Sequence, residues 1–203
     1  MLLAGGAARR FGGIPKGLSV VKDVRIADRV LVALRGASDS QLVVSNDERA
    51  AGWFPSLPVV ADETPGLGPL GGIQTALRAA NGAAILLVAW DMPFVTAPLL
   101  RGMRALGEIM GTAVVPVHGD PPVIEALCAY YPADSTTTCA QLLAQGERRA
   151  RALFGSLPGA TSIPERVLSE HGDPARIFLS VDDPEQLDEL GGQMPRVGPA
   201  PRR

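Results

Sequence analysis

Cysteine is scarce. Cys128 and Cys139 are the only two, and neither stands in a Cys-x-x-Cys or zinc-ligand spacing. With no secretory signal segment at the start, a reducing cytoplasm is the expected compartment. Histidine is as rare: His118 and His171 have no partners at catalytic spacing, and both read as surface loop residues. Aromatics make up only 4% of the chain, so its core must be built mainly from Leu, Val and Ala. The longest apolar run, Ala83 to Trp90, is far short of the ~20 residues that span a bilayer. Net charge is −2, which argues against a broad nucleic-acid or membrane surface. No Gly-Lys-Ser/Thr closes a Walker A loop, and the Gly-x-Gly-x-x-Gly dinucleotide spacing is missing. Ser135 to Thr138 lacks the Gly-x-Ser-x-Gly context of a nucleophile and reads as a helix start.

What is present is concentrated. The 203 residues, 46% of them hydrophobic, suffice for one domain with a sizeable core. Behind the short apolar start lie Gly5, Gly6, Gly12 and Gly13, interleaved with Arg9, Arg10 and Lys16. Glycines let a turn bring its N–H groups close to a ligand, and the cations add positive charge at the same place. Such a segment suits a polyphosphate, whereas the glycines alone would describe an ordinary connecting turn. Positive charge gathers again at Arg148, Arg149 and Arg151. Local clusters in a near-neutral chain favour a small anionic ligand over a polymer.

Apolar runs of strand character alternate with segments of helical spacing. Met1–Leu3 resembles the end of a strand. Strands are expected at Gln41–Ser45, Pro58–Ala61, Ala84–Ala89, Ala113–Val117, Ile124–Tyr130 and Ile177–Val181. Helices are expected at Ile26–Arg35, Gly71–Ala80, Pro98–Leu106, Cys139–Gln145 and Pro184–Leu190. Continuous apolar strands between helices predict an α/β fold, a mainly parallel sheet covered on both faces in three layers. One domain over 1–191 is expected, followed by a disordered proline-rich tail over 192–203.

Ligands of open α/β sheets bind beyond the carboxyl ends of the strands. Here those ends carry the glycine–cation segment, then Ser45-Asn46-Asp47, Asp62-Glu63, Asp91 and Asp182-Asp183. Basic groups for phosphates, with carboxylates for a hard divalent cation, describe a metal–nucleotide site. Each carboxylate also has a structural reading. Asp62 before Thr64-Pro65-Gly66 suits a turn, Asp91 suits a helix cap, and Asp183 suits a cap better still, leaving Asp182 open. Arg148 and Arg149 follow a helix end, where the helix dipole alone would favour them.

The string Leu3-Ala4-Gly5-Gly6-Ala7-Ala8-Arg9-Arg10-Phe11-Gly12-Gly13-Ile14-Pro15-Lys16-Gly17-Leu18 resembles the signature of the molybdenum cofactor guanylyltransferase family. Four further elements follow in order: Pro65 to Gly72, Trp90-Asp91-Met92-Pro93, Gln145-Gly146-Glu147-Arg148-Arg149, and Ser180 to Glu185. The first marks only the broader nucleotidyltransferase superfamily; five at similar spacing are more specific. Departures are Pro15, where the family usually has Asp; Ser45, for an Asn that Asn46 follows; and Ser180 and Asp182, for two asparagines.

The resemblance implies a Rossmann-like nucleotidyltransferase that joins GMP from GTP to the phosphate of molybdopterin, with Mg²⁺ and release of pyrophosphate. It implies that Leu3, Ala4, Gly5 and Gly6 wrap the nucleotide, and that Arg10 and Lys16 hold the triphosphate. Ser45, Asn46, Asp62 and the Gly68-Pro69-Leu70 element would lie in the nucleotide pocket. Asp91 and Asp182 would bind the metal, and Arg148 and Arg149 would face the pterin. GTP and molybdopterin are the implied partners, together with proteins that mature molybdenum enzymes. Two other functions fit the same residues. One is another nucleotidyltransferase, transferring a cytidylyl group to the cofactor or acting on a sugar phosphate or small phosphate acceptor. The other is a non-catalytic homologue that binds nucleotide or cofactor.

Overall fold

Ile85–Ala89, buried along its whole length, marks the middle of the molecule. In the computed structural model, which describes residues 1–5, 11 and 14–195, this run lies inside a sheet covered by helices on both faces. Gly6, Arg9, Arg10, Gly12, Gly13 and residues 196–203 lie outside the described residues.

In chain order the elements are β1 (Leu2–Leu3), β2 (Val20–Val21), β3 (Val24–Arg25), α1 (Ile26–Arg35), β4 (Val43–Val44), α2 (Ala50–Trp53) and β5 (Val59–Val60). Next come α3 (Gly68–Ala79), β6 (Ile85–Ala89), α4 (Ala97–Met110), β7 (Val114–His118), β8 (Val123–Ile124) and β9 (Cys128–Tyr131). The remainder is α5 (Ser135–Ala144), α6 (Ala150–Ser156), β10 (Thr161–Pro164), α7 (Glu165–Leu168), α8 (Pro174–Ile177), α9 (Pro184–Glu189) and β11 (Gly192–Gln193).

The main sheet runs β10-β7-β9-β6-β1-β4-β5, with β8 attached to β7. β9 is antiparallel to β6 and β7, while β1 is parallel to both β4 and β6. From β1 the chain steps outward through β4 to β5, then returns to β6 on the other side of β1. That reversal opens a crevice at the carboxyl ends of β1 and β6.

The side-chain alternation of β6 explains the layers. Leu86 and Val88 face a cluster with Val30, Leu34, Leu100 and Met103 of α1 and α4. Ile85 and Leu87 face the opposite cluster, with Leu70, Ile73 and Leu77 of α3, Leu143 of α5 and Leu153 of α6. A strand buried on both faces needs no polar alternation, and β6 has none. β2, β3 and β11 form a separate antiparallel sheet. It closes over Phe11, Ile26, Val181 and Leu187.

Three expectations need correction. Ile177–Val181 is not a strand: Asp173 accepts a hydrogen bond from the Ala175 N–H and starts α8 at Pro174, and residues 178–182 then run as an irregular strap. Its apolar side chains are buried without ladder pairing, which periodicity cannot distinguish from a strand. Ile124–Tyr130 is divided, because a turn at Glu125–Leu127 separates β8 from β9. Of the tail expected from residue 192, Gly192–Gln193 instead pairs with β2.

Candidate functional site

A cleft of about 570 Å³ lies over the β1/β6 reversal. Leu3, Gly5, Lys16, Ser45, Asn46, Asp62, Gly68, Pro69, Asp91 and Asp182 all line it, with Met92, Leu127 and Ser180 among the others. Segments far apart in sequence meet here: the ends of β1, β4, β5 and β6 bring most of them, and the strap over 178–182 brings Ser180 and Asp182.

One end of the cleft is ionic. Pro15, with φ −63°, starts a 3₁₀ turn over Lys16–Leu18 that is closed by hydrogen bonds from Leu18 N–H to Pro15 and Ser19 N–H to Lys16. Proline's ring fixes that angle in advance. The turn brings Lys16 Nζ onto Asp91 Oδ2 and, at 2.6 Å, Asp182 Oδ1. Burial pulls the Lys16 ammonium down, but Asp91 and Asp182 outweigh it, and the net shift is upward. The lysine therefore stays charged throughout the neutral range. Asp91 Oδ1 is buried and has no hydrogen-bond partner among the described residues.

The second carboxylate is held through its backbone. Val181 N–H donates to the Asp91 carbonyl at 3.0 Å. Asp182 N–H donates to Gln186 Oε1 at 2.7 Å, and Asp183 caps α9 by accepting from Gln186 N–H. The strap is further anchored where Phe178 stacks on His118, ring centroids 5.0 Å apart.

The other end is built around a hydrogen-bonded carboxylate. Asp62 accepts from Asn46 Nδ2 at 2.8 Å and from Thr75 Oγ1 at 2.7 Å, while its own N–H donates to Asn46 Oδ1. Gly68 opens α3 with φ +66°, and a Cβ there would lie 3.1 Å from the Arg148 carbonyl. That carbonyl also accepts from Leu70 N–H, so it satisfies a free donor of the helix's first turn.

Not every expected residue faces the cleft. Ala4 and Leu70 are 2% and 0% exposed, with side chains in the core. Arg148 Nη1 donates to the Leu143 and Glu147 carbonyls at the end of α5, and Arg149 pairs with Glu147. Neither arginine lines the cleft. His118, expected in a surface loop, ends β7 with its Nε2 2.9 Å from Glu125 Oε1, both side chains 14% exposed. Burial pushes Glu125 up, His118 opposes this, and Asp91 adds to it. Thr75, Glu125 and Gln186 carried no motif signal, and Val181 stood in a motif without an assigned role, since each acts through a neighbour that the fold supplies. Among the described residues, no group of three or more His, Cys, Asp or Glu is arranged to hold a metal. No described helix is long and apolar enough to cross a membrane.

A cavity of about 500 Å³ lies at the amino ends of β1, β4 and β6, beside Leu42, Pro58 and Ala84. Its Arg104 guanidinium is already engaged by both Asp39 and Glu108.

Comparison with known proteins shows the family. The family model described as MobA-like NTP transferase domain matches residues 1–161. A probable molybdenum cofactor guanylyltransferase of Chloroflexus aggregans is 32% identical over 193 residues, covering 92% of this chain and 90% of its own. The one of Methanothermobacter thermautotrophicus is 33% identical over 195 residues, covering 92% and 95%. The crystal structure of molybdopterin-guanine dinucleotide biosynthesis protein A from Archaeoglobus fulgidus superposes with TM-score 0.77 at 25% identity, covering 93% and 94%. A 2-C-methyl-D-erythritol 4-phosphate cytidylyltransferase from Thermus thermophilus, TM-score 0.65 at 14% identity over 93% of this chain and 95% of its own, shares the fold alone.

Proposed function

The chain belongs to the MobA-like NTP transferase family, and from that premise we propose that it transfers GMP from GTP to the terminal phosphate of molybdopterin, releasing pyrophosphate. The observation that carries this reading is the meeting of Lys16, Asp91 and Asp182 at one end of the cleft whose other end is the Asn46–Asp62 wall. One end suits a metal-bound triphosphate, the other a ribose or base that can hydrogen-bond to an amide and a carboxylate. The choice of guanine and of molybdopterin rests on the named relatives.

An oxygen of the acceptor phosphate attacks the α-phosphorus. A new P–O bond forms as the bond to the β-phosphate oxygen breaks, and pyrophosphate departs. The acceptor oxygen is already anionic near neutral pH, so no side chain has to remove a proton. No histidine lines the cleft among the described residues, which agrees with that requirement. Positioning and charge neutralisation are what remain. Lys16 neutralises the triphosphate, and Arg10 of the same segment is assigned to it as well. Gly5 and Gly6 let the backbone approach the nucleotide, beside Leu3 and Ala4.

The donor chemistry fits Mg²⁺. This ion takes oxygen ligands and commonly uses one or two carboxylates together with substrate phosphates. Asp91, whose Oδ1 has no partner among the described residues, and Asp182 would hold it. The ion would supply further neutralisation of charge on the phosphates. Arg148 and Arg149 are assigned to the pterin side.

Pyrophosphate release from each NTP, with and without molybdopterin, tests the reading. Release that depends on GTP and molybdopterin is expected. Preference for CTP overturns the guanylyl assignment, and absence of release with any NTP favours a binding protein.

A further inference from the structure

The Lys16 ammonium bonds to the same two carboxylates that are assigned to the metal. Its Nζ reaches Asp91 Oδ2 and Asp182 Oδ1 together, and the Lys16 and Asp91 side chains are only 14% and 11% exposed. Beside this contact, Asp91 Oδ1 is buried without a donor among the described residues. Two carboxylates facing each other need a cation between them, and here the chain's own lysine is that cation.

We propose that Lys16 occupies the divalent-cation seat in the nucleotide-free protein, so that lysine and metal exclude one another and the metal enters only when a polyphosphate draws the lysine away. The inference rests on the reading of the cleft as a metal–nucleotide site and adds an order of events to it. Free metal has to displace a partly buried ammonium from both carboxylates, which opposes binding. A triphosphate offers that ammonium a new anionic partner. Once Lys16 turns to the phosphates, Asp91 and Asp182 lose their counter-charge and accept a metal carried by the same nucleotide. The 3₁₀ turn allows the exchange, because backbone bonds from Leu18 to Pro15 and from Ser19 to Lys16 fix the main chain, while among the described residues the Lys16 side chain is held by the two carboxylates. Without nucleotide, the acidic pair would remain neutralised and closed to adventitious divalent ions.

The test is Mn²⁺ titration of the full chain without nucleotide, read by electron paramagnetic resonance of free Mn²⁺, for wild type, Lys16→Gln and Lys16→Arg. The Gln variant removes the resident cation and should bind Mn²⁺ at least ~10-fold more tightly than wild type, given the strength of a close charge pair at partial burial. The Arg variant keeps a cation in place and should remain as weak as wild type. Adding Asp91→Asn to the Gln variant should abolish the gain. Thermal unfolding confirms that each variant is folded, and Lys16→Met substitutes for the Gln variant if that one is not. Equal Mn²⁺ affinity in wild type and the neutral variant overturns the proposal, as does a gain that survives Asp91→Asn. Neither GTP nor acceptor enters this titration, so its failure is distinct from failure of the guanylyl assignment, which pyrophosphate release decides.

Discussion

Gly17 lies against the face of the Trp90 ring, so closely that a Cβ on residue 17 would stand 2.8 Å from Trp90 Cγ and nearer still to other ring atoms. The two residues adjoin Lys16 and Asp91. Their contact therefore sets the distance between the amino-terminal turn and the end of β6. Trp90 is in turn stacked on Trp53, with centroids 6.1 Å apart, so the ring cannot retreat freely.

Gly17→Ala should consequently harm both stability and turnover. Overpacking of a buried contact costs ~1–3 kcal/mol, to be read as a lowered urea midpoint. Turnover should fall further than the unfolded fraction explains, because the turn that carries Lys16 must shift. Wild-type stability and turnover in this variant would show that Trp90 gives way.

Asp91→Asn preserves the shape of a buried side chain while removing its charge. The fold should persist, with an unchanged urea slope, while turnover drops by at least ~10²-fold, as expected when a metal ligand is weakened. Steady-state pyrophosphate release at saturating GTP measures it, and retention of most of the turnover would remove Asp91 from the metal site.

Asp62→Ala leaves Asn46 and Thr75 without their shared acceptor. Loss of a hydrogen-bonded pocket wall costs ~1–3 kcal/mol, and the expected readout is a raised KM for nucleotide with a smaller change in kcat. Asp62→Asn retains an acceptor for Thr75 and should lie between the two. A KM unchanged in both variants would confine Asp62 to a turn-forming role.

The pH dependence of stability should expose Glu125. Its carboxyl is pushed above the usual 4.5, chiefly by burial. A raised carboxyl favours its protonated form in the folded state. The associated stability is complete below the ordinary value and is lost as pH rises through the folded one. Glu125→Gln keeps a partner for His118 without the charge. The variant should therefore unfold at a higher urea concentration than wild type at pH 7, with the advantage disappearing below about pH 4.5. A constant difference across that range would contradict the assignment.

Legibility in the sequence followed length and burial. Ile26–Arg35 coincides with α1, because its apolar spacing spans several turns and must face one side of a sheet. α3 begins earlier than its apolar spacing suggests, at Gly68, since Pro69 suits a first helical turn in which its missing N–H is not needed. β2 and β3 were invisible: each has two residues, and their turn places Lys22 and Asp23 at φ +48° and +62°, where glycine or asparagine would have signalled a hairpin. β10, at the sheet edge, ends in Pro164, a residue that argues against a strand unless the edge is known.

The linear order of residues was enough to predict a mainly parallel sheet covered on both faces and the strand ends that carry charge. These depend on neighbours along the chain, where apolar periodicity and glycine or proline chemistry act. Which charges meet was decided only in three dimensions. Asp182 reaches Lys16 because Gln186, Val181 and the Phe178–His118 stack hold an irregular strap against Asp91. Arg148 turns to helix carbonyls although its motif suggests a ligand. A side chain's partner depends on what packing brings within a few ångströms, and residues 166 positions apart in the chain hold no record of that closeness in their local pattern.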